Sequence, residues 1–126
     1  MQCPKCQSPM ETIVYEEIEV ERCLSCYGLW FDALKKDDLK NMNGSEVIDI
    51  GKPAHSRQRG QDRKINCPKC HVSMISMIDK DQFHIHYESC PSCFGTFFDA
   101  GEFTDLKQHT VLQRFRQFFN TLRSNI

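Results

Sequence analysis

The chain has 126 residues, with 16 Lys and Arg against 17 Asp and Glu, a formal charge of −1, and 8 cysteines. This length excludes more than one or two small domains, and the balanced charge excludes a surface built throughout for phosphate. No apolar run is long enough to span a membrane, and Met1-Gln2-Cys3 leaves no room for a leader, so the expected compartment is a reducing cytoplasm where thiols stay available to metal.

In chain order, the first element is the tight pair Cys3-Pro4-Lys5-Cys6. Met10 to Tyr15 and Glu16 to Arg22 follow as a predicted hairpin, its second arm alternating Ile18 and Val20 with Glu19 and Glu21. A second pair, Cys23-Leu24-Ser25-Cys26, leads into Gly28-Leu29-Trp30-Phe31-Asp32. The glycine there suits either a positive φ or a close approach after a metal knuckle, and Asp32 is placed to cap a short helix. Asn43-Gly44-Ser45 and Gly51-Lys52-Pro53 mark a polar, basic linker carrying Arg57, Arg59, Arg63 and Lys64. The order then recurs: Cys67-Pro68-Lys69-Cys70, a hairpin through Phe83-His84-Ile85-His86-Tyr87, Cys90-Pro91-Ser92-Cys93, and Gly95-Thr96-Phe97-Phe98-Asp99. From Glu102 to Arg123 neither proline nor glycine occurs, which predicts a longer C-terminal helix with Val111, Phe115, Phe118 and Leu122 on one face, widened by Leu112 and Phe119.

The recurrence is a duplication. Subtracting 64 aligns Met74, Met77 and Ile78 with Met10, Ile13 and Val14, and subtracting 67 aligns Ile85, Cys90, Gly95, Phe98, Asp99 and Leu106 with Ile18, Cys23, Gly28, Phe31, Asp32 and Leu39. Three extra residues in the second copy fall around Asp79-Lys80-Asp81-Gln82, lengthening a hairpin loop. The expected layout is a first ribbon at 1–42, a linker at 43–66, a second ribbon at 67–106 and an amphipathic helix at 107–126. The fold class is then small metal-stabilised α+β: two tandem ribbons, each a β-hairpin followed by a short helix, plus the C-terminal helix.

Two Cys-x-x-Cys pairs per copy, separated by sixteen and nineteen residues, have the spacing of a four-thiolate zinc site. Zinc takes four soft ligands in a tetrahedron, and each tight turn supplies two corners. The expectation is one Zn2+ on Cys3, Cys6, Cys23 and Cys26 and another on Cys67, Cys70, Cys90 and Cys93. Iron, disulfides and redox-active thiols are the alternatives this spacing leaves open. A unit of about 40 residues is too small to fold on its apolar core alone. A structural zinc contributes roughly 10–16 kcal/mol of apparent binding free energy.

Cys-Pro-x-Cys, a hairpin, then Cys-x-x-Cys-x-Gly-x-aromatic-x-Asp-x-x-Glu-hydrophobic resembles the transcription factor IIB-type zinc-finger family of small, mostly bacterial proteins. The resemblance runs from Cys3 to about Leu39 and from Cys67 to about Leu106, closest through Phe98-Asp99-Ala100-Gly101-Glu102-Phe103. The first copy departs at Leu34-Lys35-Lys36. The resemblance implies zinc binding and a ribbon fold, with transcription as a fold-level analogy.

Eight thiolates and two divalent ions lower the formal charge of −1 by four, and Glu16, Glu17, Glu19 and Glu21 make the first ribbon acidic in itself. Nucleic acid is therefore expected to bind weakly and without sequence preference, through Arg57, Arg59, Arg63 and Lys64. Phe115, Phe118, Phe119 and Leu122 either pack back on the ribbons or dock on a protein partner or a second copy. His84 and His86 share one face of a predicted strand but lack a third ligand and are read as surface residues. No phosphate loop occurs, and no nucleophile stands beside a base, so neither an enzyme nor a small-molecule substrate is expected. The expected function is a non-catalytic module that binds a macromolecule, protein first. A nucleic-acid-binding transcription accessory and a thiol redox or zinc-responsive switch are the alternatives.

Overall fold

The computed structural model describes residues 1–33, 35–51, 64–78 and 85–107. Strands β1 (Met10–Tyr15) and β2 (Ile18–Cys23) form the first hairpin, followed by β3 (Leu29–Phe31), the helix α1 (Lys35–Lys40) and a 3-10 turn (Ser45–Ile48). The second copy supplies β4 (Ile75–Ile78), β5 (His86–Ser89) and β6 (Thr96–Phe98), and then a helix, α2, over 102–107.

The hairpin forms where apolar and polar residues alternate. Ile13 lies opposite Val20 and Tyr15 opposite Ile18, so one face carries the branched and aromatic side chains. Glu16 and Glu17 both have positive φ, at 50° and 71°, which gives the turn the mirror-image twist that two-residue hairpins need.

The two ribbons do not sit as separate beads. All six strands form one antiparallel sheet in the order β1-β2-β3-β6-β5-β4. The joint is β3 against β6, pairing Leu29 with Phe98, Trp30 with Phe97 and Phe31 with Thr96. Trp30 and Phe97 are themselves equivalent in the repeat, so the pairing is isologous: a pseudo-twofold axis passes between them and exchanges the copies.

Side chains alternate across this sheet and build two cores. On one face Leu29, Phe31 and Phe98 meet Val20, Ile85 and the helical residues Leu39, Phe103 and Leu106. Phe31 and Phe98 make an edge-on contact with centroids 5.6 Å apart, and Tyr87 stacks on Phe98 at 5.0 Å. On the other face Trp30 and Phe97 lie among the cysteines.

The segment read as the start of a linker is part of the first core. Ser45 and Ile48 are buried, and Ile65 is buried just before the second ribbon. Asp49, also buried, accepts from the backbone N–H of Gly101 and of Thr104, each at 3.0 Å, and so caps α2 from outside the second repeat. Burial raises the Asp49 carboxyl above its usual range, opposed by those N–H donors. Gly44 opens the segment at φ 80°, a conformation that L side chains rarely adopt. Arg57, Arg59 and Arg63, His84, and the helix predicted through Phe115, Phe118, Phe119 and Leu122 lie outside the described residues.

Candidate metal centres

Each ribbon closes on a cluster of four sulfurs. Cys3 and Cys6 come from the turn before β1, Cys23 and Cys26 from the turn after β2, and the hairpin brings the two turns together; Cys67, Cys70, Cys90 and Cys93 repeat this. Within each cluster the sulfurs all lie within 4.8 Å of one another. Cys3 and Cys26 are 3.7 Å apart, Cys6 and Cys23 3.4 Å, and Cys67 and Cys93 3.7 Å. A tetrahedron with metal–sulfur bonds of about 2.3 Å has edges of about 3.8 Å, so these separations are close to those a bound zinc ion sets.

The backbone of the turns is shaped for thiolate. Ser25 and Cys26 aim their N–H groups at Cys23 Sγ (3.3 and 3.4 Å), Lys69 and Cys70 theirs at Cys67 Sγ (3.4 and 3.3 Å), and Ser92 and Cys93 theirs at Cys90 Sγ (3.4 and 3.5 Å). The residue after each second cysteine, Gln7, Tyr27, His71 or Phe94, has φ near 61°. Left-handed backbone at non-glycine residues is costly, and its recurrence in all four turns ties it to the metal-holding geometry.

Without metal the sulfurs share protons unequally. The hydrogen bond to Cys26, together with burial, pushes the Cys3 thiol far up, and the same bond holds Cys26 down at about 5. In the second cluster the bond to Cys93 pushes Cys70 up to about 12. Burial works against ionisation of Cys90, yet the Cys93 and Ser92 N–H groups outweigh it and bring the thiol down to about 7.

The centres are coupled across the pseudo-twofold axis. Lys5, inside the first knuckle, reaches Asp99 of the other copy at 3.0 Å, and Lys69, its repeat equivalent, pairs with Asp32. The two bridges differ in setting. Lys5 and Asp99 are 12% and 3% exposed, whereas Lys69 and Asp32 are 45% and 40% exposed. The aromatic wedge is reciprocal too. A Cβ on Gly95 would lie 2.3 Å from Trp30 Cζ2, and one on Gly28 would lie 2.4 Å from Phe97 Cζ. Close approach, rather than positive φ, is thus what these glycines serve. Trp30 Nε1 also donates to Asp32 at 3.1 Å. Among the described residues the Asp32 carboxylate accepts from Lys69, Trp30 and Lys35, so it works as a bridge between copies rather than as the cap of α1.

The lysines are the functional residues that the spacing argument passes over. The signal was present in the sequence, as the same Lys in both Cys-Pro-Lys-Cys turns and the same Asp after both aromatic pairs. Lys64 is exposed at the rim of a cleft of about 430 Å3 between the two Cys-Pro-Lys-Cys turns, lined also by Gln2, Gln7, Asn66 and His71. His86 is half-buried on β5, outside both clusters. Among the described residues no helix is long and apolar enough to cross a membrane.

Comparison with known proteins agrees with this construction. No curated protein and no solved structure matches the chain. Residues 2–42 and 66–109 each match the family described as Transcription factor zinc-finger, the TFIIB-type zinc ribbon. The chain belongs to that family as two tandem copies, and its cofactors are two zinc ions, one on Cys3, Cys6, Cys23 and Cys26 and one on Cys67, Cys70, Cys90 and Cys93.

Proposed function

We propose that this tandem member of the TFIIB-type zinc-ribbon family is a non-catalytic module that binds another protein. Four thiolates per ion leave zinc no open position for substrate or water, so the metal's role is to fix the knuckles. The observation that carries the reading is Phe94. It stands on the last metal knuckle, held at φ 61° and 66% exposed, where its repeat equivalent Tyr27 is partly buried. Leu24, on the corresponding knuckle of the first ribbon, is 53% exposed. A rigid, exposed aromatic is the kind of side chain that anchors protein interfaces, while the acid-rich first hairpin and the thiolate charge disfavour phosphate.

The test is photo-crosslinking from position 92, exposed on the same knuckle, in zinc-loaded full-length protein inside its host cell, with and without nuclease before recovery. Protein adducts that survive nuclease and disappear in Phe94→Ala support the reading. Adducts that depend on nucleic acid, or that persist in Phe94→Ala, favour the nucleic-acid accessory role, with Lys64 and the linker arginines as contacts.

A further inference from the structure

The pseudo-twofold axis makes the two halves comparable residue by residue, and the two metal centres prove unequally enclosed. In the first ribbon the hairpin is clamped one residue before the ligand Cys23. Arg22 Nε and Nη2 donate to Glu11 Oε1 at 2.9 and 2.7 Å, tying β2 to β1. Two further bonds fasten the segment 43–51 over the ribbon as a cover: the Tyr15 hydroxyl donates to the Asn43 carbonyl, and Arg22 Nη1 to the Ile48 carbonyl at 3.0 Å. Ile48 is only 4% exposed. The segment ends with Gly51 pressed on the second knuckle, where an added Cβ would lie 2.8 Å from Tyr27 Cβ. Cys26, the residue before Tyr27, is buried, and Cys6 alone of the four ligands is half-buried.

The second ribbon repeats the strands and the ligands without the clamp. Ile75 and Ser89 stand where Glu11 and Arg22 stand in the first, opposite each other in the same register, and they form no ion pair. Ile75 is 51% exposed, and every residue of β4 is exposed, whereas β1 is half-buried at four of its six positions. Phe94, in the place of Tyr27, stands in solvent, and Cys93, in the place of Cys26, is half-buried, as is Cys70. The knuckle lysines follow the same division, Lys5 being enclosed with Asp99 and Lys69 open to water with Asp32. Local opening costs least where few buried contacts hold two elements together. A thiolate is reached most readily where it is partly exposed. Both conditions single out the second centre, at its hairpin and at its Cys70 and Cys93 sulfurs.

We propose that the two zinc sites differ in kind: the site of Cys67, Cys70, Cys90 and Cys93 gives up its ion to multidentate chelating ligands, while that of Cys3, Cys6, Cys23 and Cys26 keeps its ion as a fixed part of the fold. Cys70 and Cys93 let go first. The donors of the incoming ligand take the places of the sulfurs, each freed thiolate takes a proton from water, and no electrons move. The inference does not rest on the protein-binding role of Phe94.

The test exposes full-length protein carrying two zinc ions to excess EDTA and follows the ions per chain over time by native mass spectrometry. Samples treated with iodoacetamide along the way report which cysteines have been freed. A one-zinc chain is expected to accumulate, alkylated at Cys67, Cys70, Cys90 and Cys93, with loss from that site about 10-fold faster than from the other. In Arg22→Met, which removes the clamp and unfastens the cover while sparing all eight ligands, loss from the first site should quicken and the one-zinc chain should dwindle. Loss from the first site before the second, loss of both ions without a one-zinc chain, or an unchanged first site in Arg22→Met overturns the proposal.

Discussion

The two lysine–aspartate bridges offer a built-in comparison, because one structural change can be made twice in equivalent places. Lys5→Met and Lys69→Met each remove a cation from the same position of a Cys-Pro-Lys-Cys turn and leave all eight ligands in place. Any general effect on the knuckle is therefore shared and cancels in the difference. What differs is burial. Asp99 is 3% exposed and loses its bridge to Lys5, whereas Asp32 is 40% exposed and keeps Trp30, Lys35 and water as partners. Removing one partner of a buried pair costs about 3–5 kcal/mol, because the charge left behind stays desolvated. An exposed pair contributes roughly 0–1 kcal/mol. Lys5→Met is therefore expected to cost about 3 kcal/mol more than Lys69→Met. At roughly 4 °C per kcal/mol for a domain of this size, melting temperatures at saturating zinc should differ by about 10 °C or more. In double-mutant cycles the coupling between Lys5→Met and Asp99→Leu should exceed that between Lys69→Met and Asp32→Leu, because the first pair is buried and the second exposed. Equal melting temperatures for the two lysine variants, or equal couplings in the two cycles, would refute the burial argument and the pseudo-symmetric docking behind it.

Three further outcomes follow from the same geometry. Gly95→Ala puts a methyl into the Trp30 ring and should cost about 1–3 kcal/mol in urea unfolding, yet be neutral to slightly stabilising in a Trp30→Leu background; additive effects would break the wedge. Stripping both metals with a strong chelator should unfold the sheet and shift Trp30, 1% exposed, to the emission of indole in water; an unshifted spectrum after verified zinc loss would show a fold independent of metal. Acidification should release zinc from both centres. Protons compete with the metal for the thiolates, so bound zinc should fall as pH is lowered; retention of both ions in strong acid, read with a zinc dye, would count against thiolate ligation.

Both metal centres are legible in the sequence because their determinants are local: a two-residue turn brings two thiols together, and a hairpin short enough to read by alternation joins the turns. The same holds for β1 and β2, where Ile18 and Val20 alternate with Glu19 and Glu21. What the sequence leaves open is every relation between elements far apart in the chain. Periodicity tells which side of β3 is apolar but not which strand lies beside it. In fact Leu29, Trp30 and Phe31 are buried on both faces, as a strand at the centre of a joined sheet requires. Gly28 and Gly95 illustrate the same limit. The residue type announces either a positive φ or a close neighbour, and only the pseudo-twofold axis, which sets Trp30 over Gly95 and Phe97 over Gly28, decides between them.

Asp49 marks the far end of that scale. It lies in a stretch whose Asn-Gly-Ser and Gly-Lys-Pro composition signals turns, and those signals are locally sound, since Gly44 does adopt φ 80°. Turn composition, however, says nothing about what the chain does after turning. Here it lays Ile48 into the core and delivers a carboxylate to the N–H groups of Gly101 and Thr104, more than fifty residues away. Duplication therefore set two ribbons in series, and the segment between them, together with β3 and β6, made them one body. Each half completes the other: the first copy's cover caps the second copy's helix, and each knuckle lysine bridges to an aspartate of the opposite copy. A metal lost from either ribbon loosens a lysine whose aspartate partner, and a glycine whose aromatic neighbour, belong to the other, so damage at one centre is transmitted to its twin through named contacts.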